Sequence, residues 1–176
     1  MSKRDLYAVR LSGLAEGDHD FSFELDHKFF ASREESEIEN GNVRAEVILE
    51  KKVGLLALHF HIEGEVEVQC DRCLEPFTTK VLTDQKIFVK FGETPGEIEE
   101  DVIMIHRDDH EIELAQYLYE FILLALPFQR IHSDDENGVP ECDPEMIRRL
   151  KEHQGPVAKK DQTDPRWDTL KGIIEK

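Results

Sequence analysis

The sequence predicts an α+β fold in which an antiparallel β-sheet, flat or curled toward a barrel, is covered by one apolar helix. Apolar and polar residues alternate through residues 21–91, which is the period of half-buried strands. The turns predicted between these strands are short, and short connections join antiparallel neighbours. Beyond them the alternation gives way to helical spacing over residues 112–126. These observations favour a strand meander followed by a helix.

The strands are read from period-two patterns. FSFEL (21–25) places its apolar side chains on one face, and the signal strengthens over residues 42–52. Residues 53–62 are apolar on both faces, as in a central strand. Residues 64–70 and 78–91 continue the alternation, and VIMI (102–105) adds a short strand. Turns are predicted at Asn40-Gly41, Lys51-Lys52 and Glu63-Gly64.

The helix over residues 112–126 is apolar around most of its circumference, which favours deep packing on the sheet. Pro127 ends it. We expect residues 1–130 to form one β-rich domain and residues 131–176 to form a polar, mobile C-terminal tail. Two short helices are predicted in that tail, with Asp143 and Asp164 as their N-caps.

The chain is strongly acidic, with 39 Asp and Glu residues against 22 Lys and Arg and a formal net charge of −17. Such a charge repels phosphate backbones at long range, so non-specific nucleic-acid binding is disfavoured. An acidic surface can be simply solvated, or it can meet basic proteins. Ribosomal proteins are the most abundant basic proteins of a cell.

Composition also bounds the compartment. No apolar run reaches the length of a membrane span, and the first 20 residues lack the apolar core of a signal peptide. The chain has 3 cysteines, an odd and sparse set that argues against a secreted disulfide framework. We therefore expect a cytoplasmic protein without a membrane partner.

The stretch VQCDRCLEPF (68–77) contains a Cys-x-x-Cys pair, Cys70 and Cys73, at the end of a predicted strand. Two thiolates at this spacing can face one tetrahedral Zn²⁺, with His132 and Cys142 as the remaining ligands of a Cys₃His site. The alternatives are a thiol-redox pair and reduced thiols without metal. No nucleophile–base order and no phosphate-binding loop is present, so we expect no enzyme.

Three motifs in order resemble the YceD family of bacterial proteins, once called domain of unknown function 177. They are the Cys-x-Arg-Cys-Leu after a strand, an Ile-x-Leu start to an apolar helix closing in Leu-Pro, and a terminal Asp-Pro-Arg followed by Leu. Here these are Cys70, Arg72, Cys73 and Leu74; Ile112, Leu114, Leu126 and Pro127; and Asp164, Pro165, Arg166 and Leu170. Many members carry a second cysteine cluster after the Leu-Pro, where this sequence has His132 and Cys142.

The resemblance implies a role in accumulation of large-subunit ribosomal RNA, metal binding, and nucleic-acid binding. We expect a non-enzymatic ribosome-biogenesis factor that binds a ribosomal protein or a large-subunit precursor particle. The alternatives are a zinc-stabilised RNA-binding module and a thiol-redox protein. The candidate binding residues are Arg72, Arg148, Arg149, Lys151, Asp164 and Arg166.

Overall fold

The computed structural model of the protein describes residues 6–33, 36–99, 101–134, 138 and 141–155. In chain order these form β1 (Ala8–Arg10), β2 (Gly17–Leu25), α1 (His27–Ala31), β3 (Asn40–Lys52), β4 (Leu55–Gln69), β5 (Pro76–Gly92), β6 (Gly96–Glu99), β7 (Val102–His106), β8 (Glu111–Glu113), α2 (Ala115–Ala125) and α3 (Pro144–His153). The predicted α+β class is confirmed. Within these ranges, no helix is both long and apolar enough to cross a membrane.

The main sheet has the strand order β2-β3-β4-β5-β7-β6. Strands β2 to β5 form the predicted antiparallel meander, whereas β7 pairs parallel to β5. A separate two-stranded sheet joins β1 to β8. The main sheet is open, with β2 and β6 as its outer strands, so the expectation of a sheet curled toward a barrel was wrong.

One face of the meander carries the core. On β3 the side chains of Val43, Ala45, Val47 and Leu49 are fully buried, and the residues between them face solvent. The register stacks Val47 against Phe60 of β4 and Phe21 of β2. Period-two alternation thus gives the sheet one apolar inner face and one polar outer face.

Strand β4 is longer than its sequence suggested. It runs without interruption from Leu55 to Gln69, and the turn predicted at Glu63-Gly64 is wrong. A Cβ added to Gly64 would lie 2.3 Å from the backbone oxygen of Asn42, and the Gly64 φ of +154° also suits glycine. Glycine at this position permits close approach of the β3 and β4 backbones, which is one reason for glycine to occur within a strand.

Two other predicted turns also shift. Asn40 and Gly41 begin β3, and Lys51 and Lys52 end it, so the tight connection to β4 lies at Val53 and Gly54. Both pairs consist of polar residues or glycine, and for that reason they were predicted to be turns. Cross-strand pairing with β4 extends over these residues and holds them in the sheet.

Changing Gly64 to alanine should lower the free energy of unfolding by about 2 kcal/mol, because the new methyl group meets backbone atoms that cannot move aside. Gly54→Ala is the matched control, since Gly54 also has a positive φ of +75° but nothing lies within 4 Å of its added Cβ. It should cost about 1 kcal/mol. Urea unfolding measures both; equal losses would contradict the close-approach argument.

Helix α2 covers the inner face of the sheet. Leu118 and Ile122 are fully buried, and the ring of Phe121 meets Phe60 edge to face at 5.1 Å between centroids. The helix begins at Ala115 rather than residue 112, because Ile112 pairs with Val9 in the two-stranded sheet. The predicted apolar helix is therefore present, with its first turn replaced by β8.

Two short helices flank the sheet. The sequence reading missed α1, whose N-cap is Asp26, with its carboxylate accepting from the Lys28 and Phe29 backbone N–H groups. Helix α3 begins at Pro144 after the Asp143 cap, as predicted. The helix predicted over residues 164–176 lies outside the described residues. The division of the chain at residue 130 stays a prediction.

Candidate metal centre

Four residues from three separate segments of the chain meet at one end of the sheet. Cys70 directly follows β4, Cys73 lies in the loop before β5, His132 follows α2, and Cys142 precedes α3. Each offers one ligand atom, and these four atoms lie within 4.8 Å of one another. This set could bind a metal ion.

The spacing of the ligand atoms matches a tetrahedral site. Bonds of about 2.3 Å to sulfur and about 2.0 Å to nitrogen place two sulfurs about 3.8 Å apart, and sulfur and nitrogen about 3.5 Å apart. The Sγ atoms of Cys70 and Cys142 are 3.8 Å apart. The Nδ1 atom of His132 lies 3.4 Å from Cys73 Sγ and 3.6 Å from Cys142 Sγ. These three distances suit tetrahedral coordination, and all four ligand atoms lie within 4.8 Å of one another.

The cluster is closed to solvent. Cys70, Cys73 and Cys142 are 0%, 3% and 4% exposed, respectively. Apolar side chains pack around the thiols, namely Phe77, Ile131, Met146 and Ile147. The Phe77 ring also lies 5.0 Å from the His132 ring, centroid to centroid. Four protein ligands, here three buried thiols and a half-buried imidazole, are typical of structural rather than catalytic metal sites.

Backbone hydrogen bonds shape the loop between β4 and β5. The Cys70 N–H donates to the Glu75 carbonyl, and the Leu74 N–H donates to the Cys70 carbonyl. The tight turn forces Leu74 into the left-handed region, with a φ of +64°. The turn points both thiols of the pair toward the segment after α2.

A second set of contacts ties that segment to the loop. The Asp71 N–H donates to the Arg130 carbonyl, and the Arg130 N–H donates to the Asp71 carboxylate, each at 2.7 Å. The Arg72 guanidinium donates to the His132 carbonyl at 3.0 Å. These bonds bring His132 to the cysteine pair. The sequence reading missed Asp71 and Arg130, and no spacing pattern links two polar residues so distant in the chain.

The thiols differ in acidity. Burial opposes ionisation of Cys70, but hydrogen bonds from the backbone N–H groups of Arg72 and Cys73, with His132 nearby, outweigh it and lower its pKa to about 6. Burial and the neighbouring sulfurs of Cys70 and Cys73 raise the pKa of Cys142 to about 11. The protein alone therefore favours one thiolate and resists a second beside it. A bound cation removes this conflict, because its charge stabilises all the coordinating thiolates.

Replacing Leu74 by glycine should raise the free energy of unfolding by about 0.5 kcal/mol, since glycine adopts the left-handed conformation without strain. Leu74 is 62% exposed, so little packing is lost. Leu82, 68% exposed within β5, is the matched control, and Leu82→Gly should be destabilising. Thermal unfolding compares the two, and a destabilised Leu74→Gly protein would count against strain at this turn.

The predicted binding residues divide into three groups. Arg72, Arg148 and Lys151 line one groove beside the cysteine cluster. Arg149 does not line that groove and pairs instead with Glu145. Asp164 and Arg166 lie outside the described residues. The structure thus brings Arg72 together with two cations that are more than 70 positions away in the sequence.

Comparison with known proteins gives one match. The sequence model of a family described as "Large ribosomal RNA subunit accumulation protein YceD" matches residues 58–173. A search of the curated proteins and a search of the solved structures found no match. The matched residues include β4 from Leu58 onward, β5, α2, α3 and all four members of the cysteine–histidine cluster. The chain therefore belongs to the YceD family of large ribosomal RNA subunit accumulation proteins.

Proposed function

We propose that the protein is a non-enzymatic factor that binds a large-subunit precursor particle and so supports accumulation of large-subunit ribosomal RNA. The observation that carries this proposal is the family match over residues 58–173, because the family description names accumulation of large-subunit ribosomal RNA. We place the protein in the cytoplasm on the same ground.

The cysteine–histidine cluster supports binding of zinc in particular. Three thiolates and one imidazole in tetrahedral array are a typical structural zinc set, and soft sulfur ligands disfavour magnesium and calcium. Cys70, Cys73, His132 and Cys142 would hold the ion. Bound zinc would neutralise the thiolates and fix the segment after α2 against the end of β4.

A binding role is better supported than catalysis at this cluster. Its thiols are buried, and its four ligand atoms lie within 4.8 Å of one another, which leaves no room for a substrate among them. The thiol-redox alternative has weaker support. Hydrogen bonds do lower the pKa of Cys70, but all three thiols are buried, and β5 rather than a helix follows the Cys-x-x-Cys pair. Failure to form a disulfide under mild oxidation would remove that alternative.

The net charge of −17 supports a basic protein of the particle as one contact. Much of this charge faces solvent on the outer face of the sheet. Carboxylates at alternate positions of β2 and β4 extend there, namely Asp18, Asp20 and Glu24, and Glu63, Glu65 and Glu67. RNA contact by a zinc-stabilised module is the second candidate, favoured by the cations that line the groove beside the cluster.

Gradient sedimentation of lysates from growing cells tests the proposal. The protein should move with large-subunit precursors, and its depletion should lower large-subunit relative to small-subunit ribosomal RNA. An acidic protein of similar size without a ribosomal role is the control for trapping. Recovery of the protein entirely in the soluble fractions, with an unchanged ratio of the two RNAs, would refute the proposal.

A further inference from the structure

A groove of about 760 Å³ runs between the Cys-x-x-Cys loop and helix α3. Arg72 of the loop forms one side, and residues of α3 together with Cys142 form the rest. The lining residues on and around α3 are Cys142, Pro144, Ile147, Arg148, Leu150, Lys151, Glu152 and Gln154. The size is that of typical ligand sites in proteins.

The groove is cationic although the chain as a whole is acidic. Arg72, Arg148 and Lys151 line it, against the single carboxylate of Glu152. Arg148 and Glu152 form an ion pair at 3.2 Å, with both side chains more than half exposed. Exposed pairs of this kind are weak, so an anionic ligand can compete for Arg148.

A hydrogen bond restrains the Arg72 side chain beside the groove. Its guanidinium donates to the His132 carbonyl at 3.0 Å, which limits the orientations of the side chain. Its Nε atom is buried and has no hydrogen-bond partner among the described residues. Buried donors in folded proteins are almost always paired, whereas Arg72, which lines the groove, has an unused donor among the described residues. Guanidinium groups favour phosphate and carboxylate oxygens as acceptors.

The groove also contains apolar surface. Pro144, Ile147 and Leu150 contribute to its lining, and Leu150 is 40% exposed. In binding sites for single-stranded nucleic acid, cations follow the backbone and aromatic side chains stack on the bases. No aromatic residue in the described part of the chain lines this groove, so its apolar surface offers the bases contact without stacking. A peptide of acidic residues would use the cations but would gain little from this apolar surface.

We propose that this groove binds the phosphate backbone of single-stranded RNA through Arg72, Arg148 and Lys151. The inference rests on the proposed function, which places the protein beside ribosomal RNA, and it assigns the surface and the residues of the contact. The strongly acidic remainder of the chain repels RNA elsewhere, which confines the contact to the groove.

The cysteine–histidine cluster controls the geometry of this groove. Arg72 lies between Cys70 and Cys73, and α3 begins two residues after Cys142. Both sides of the groove are therefore attached to the cluster within two residues. Loss of the ion would release α3 from the loop and separate Arg72 from Arg148 and Lys151.

Fluorescence anisotropy with a short labelled oligouridine RNA tests the proposal on the full, metal-loaded chain. Arg148→Ala and Lys151→Ala should each weaken binding about tenfold, and each should reduce the slope of log K against log salt by about one. Arg149→Ala is the matched control. It removes the same charge from the adjacent position of the same helix, but Arg149 does not line the groove. It should change binding less than about twofold.

A variant with the opposite sign strengthens the test. Glu152→Gln removes the carboxylate from the groove and frees Arg148, so RNA should bind several-fold more tightly. A gain of affinity cannot come from misfolding. Chelation of the metal should abolish RNA binding, with circular dichroism reporting whether the sheet remains folded.

Three results would overturn the proposal: no RNA binding at low salt, equal losses for Arg148→Ala and Arg149→Ala, and tighter binding of an oligoglutamate peptide than of RNA. The last would assign the groove to an acidic protein segment. These measurements use purified components, so they can fail while the protein still sediments with precursor particles. Conversely, RNA binding without co-sedimentation would uphold the groove and refute the proposed function.

Discussion

Replacing Cys70 by serine should remove one bound zinc per chain and lower the free energy of unfolding by about 4 kcal/mol or more, since loss of a structural metal is among the most destabilising single changes. The serine hydroxyl is a poor ligand for zinc, and two thiols and an imidazole would remain buried without their cation. The segment containing His132 and Cys142 should then separate from the end of β4.

Mass spectrometry under native conditions, on untagged protein purified without chelator, measures the metal content. Thermal unfolding with and without chelator measures the stability. The wild type should lose stability in chelator, whereas Cys70→Ser should be insensitive to it. His110→Asn is the control, because His110 is exposed and lies outside the cluster. A metal-free wild type, or a serine variant that retains its zinc, would contradict the metal site.

Replacing Leu118 by alanine should lower the free energy of unfolding by about 3 to 4 kcal/mol. Leu118 is fully buried where α2 covers the sheet, so the change removes apolar contacts and leaves a cavity that rigid strands cannot fill. The midpoint of urea unfolding should fall. The slope of the unfolding free energy against urea concentration should change little, because nearly the same surface is exposed on unfolding.

Leu124→Ala supplies the matched control on the same helix. Leu124 is 75% exposed, and its truncation should change the free energy of unfolding by less than about 0.5 kcal/mol. Similar losses for the two variants would mean that α2 does not bury the face containing Leu118. That result would contradict the helix-on-sheet arrangement directly.

The strands of the meander and the apolar helix were predictable because each is encoded locally. Val43, Ala45, Val47 and Leu49 recur at every second position, with Arg44, Glu46 and the exposed Ile48 between them, whatever their partners are. The ends of the strands were harder to predict from the sequence, because pairing with a neighbouring strand overrides local turn signals. Gly64 was read as a turn, although its use is a close approach to the backbone of Asn42 on β3.

Other elements depend on tertiary contacts that no window of sequence contains. The parallel pairing of β5 with β7 and the pairing of β1 with β8 join segments distant along the chain. Ile112 accordingly lies in a strand, although its spacing also suits the helix. Helix α1 has 5 residues, too few for a helical period to be recognised, but its Asp26 cap was a usable signal.

The residues of the candidate metal centre could be predicted from the sequence for a chemical reason. The chain has only 3 cysteines, so the thiols of a soft-ligand set could be chosen by type, and one of the 8 histidines completes the set. Their proximity could not be derived from spacing. It depends on the Asp71–Arg130 hydrogen bonds, which use two residue types abundant on any protein surface. The groove beside α3 could likewise not be predicted from the sequence, because Arg72 and Lys151 come to line one groove only in the folded chain.

The long separation of the cluster residues also constrains how the protein folds. Cys73 and His132 are 59 positions apart, and Cys70 and Cys142 are 72 positions apart. During synthesis Cys70 and Cys73 emerge well before His132 and Cys142, and closing a loop of this length early would be entropically costly. The cluster should therefore form after the β5–α2 region has folded. An ion bound that late would slow unfolding and leave the folding rate almost unchanged, so it would make the folded protein kinetically more persistent.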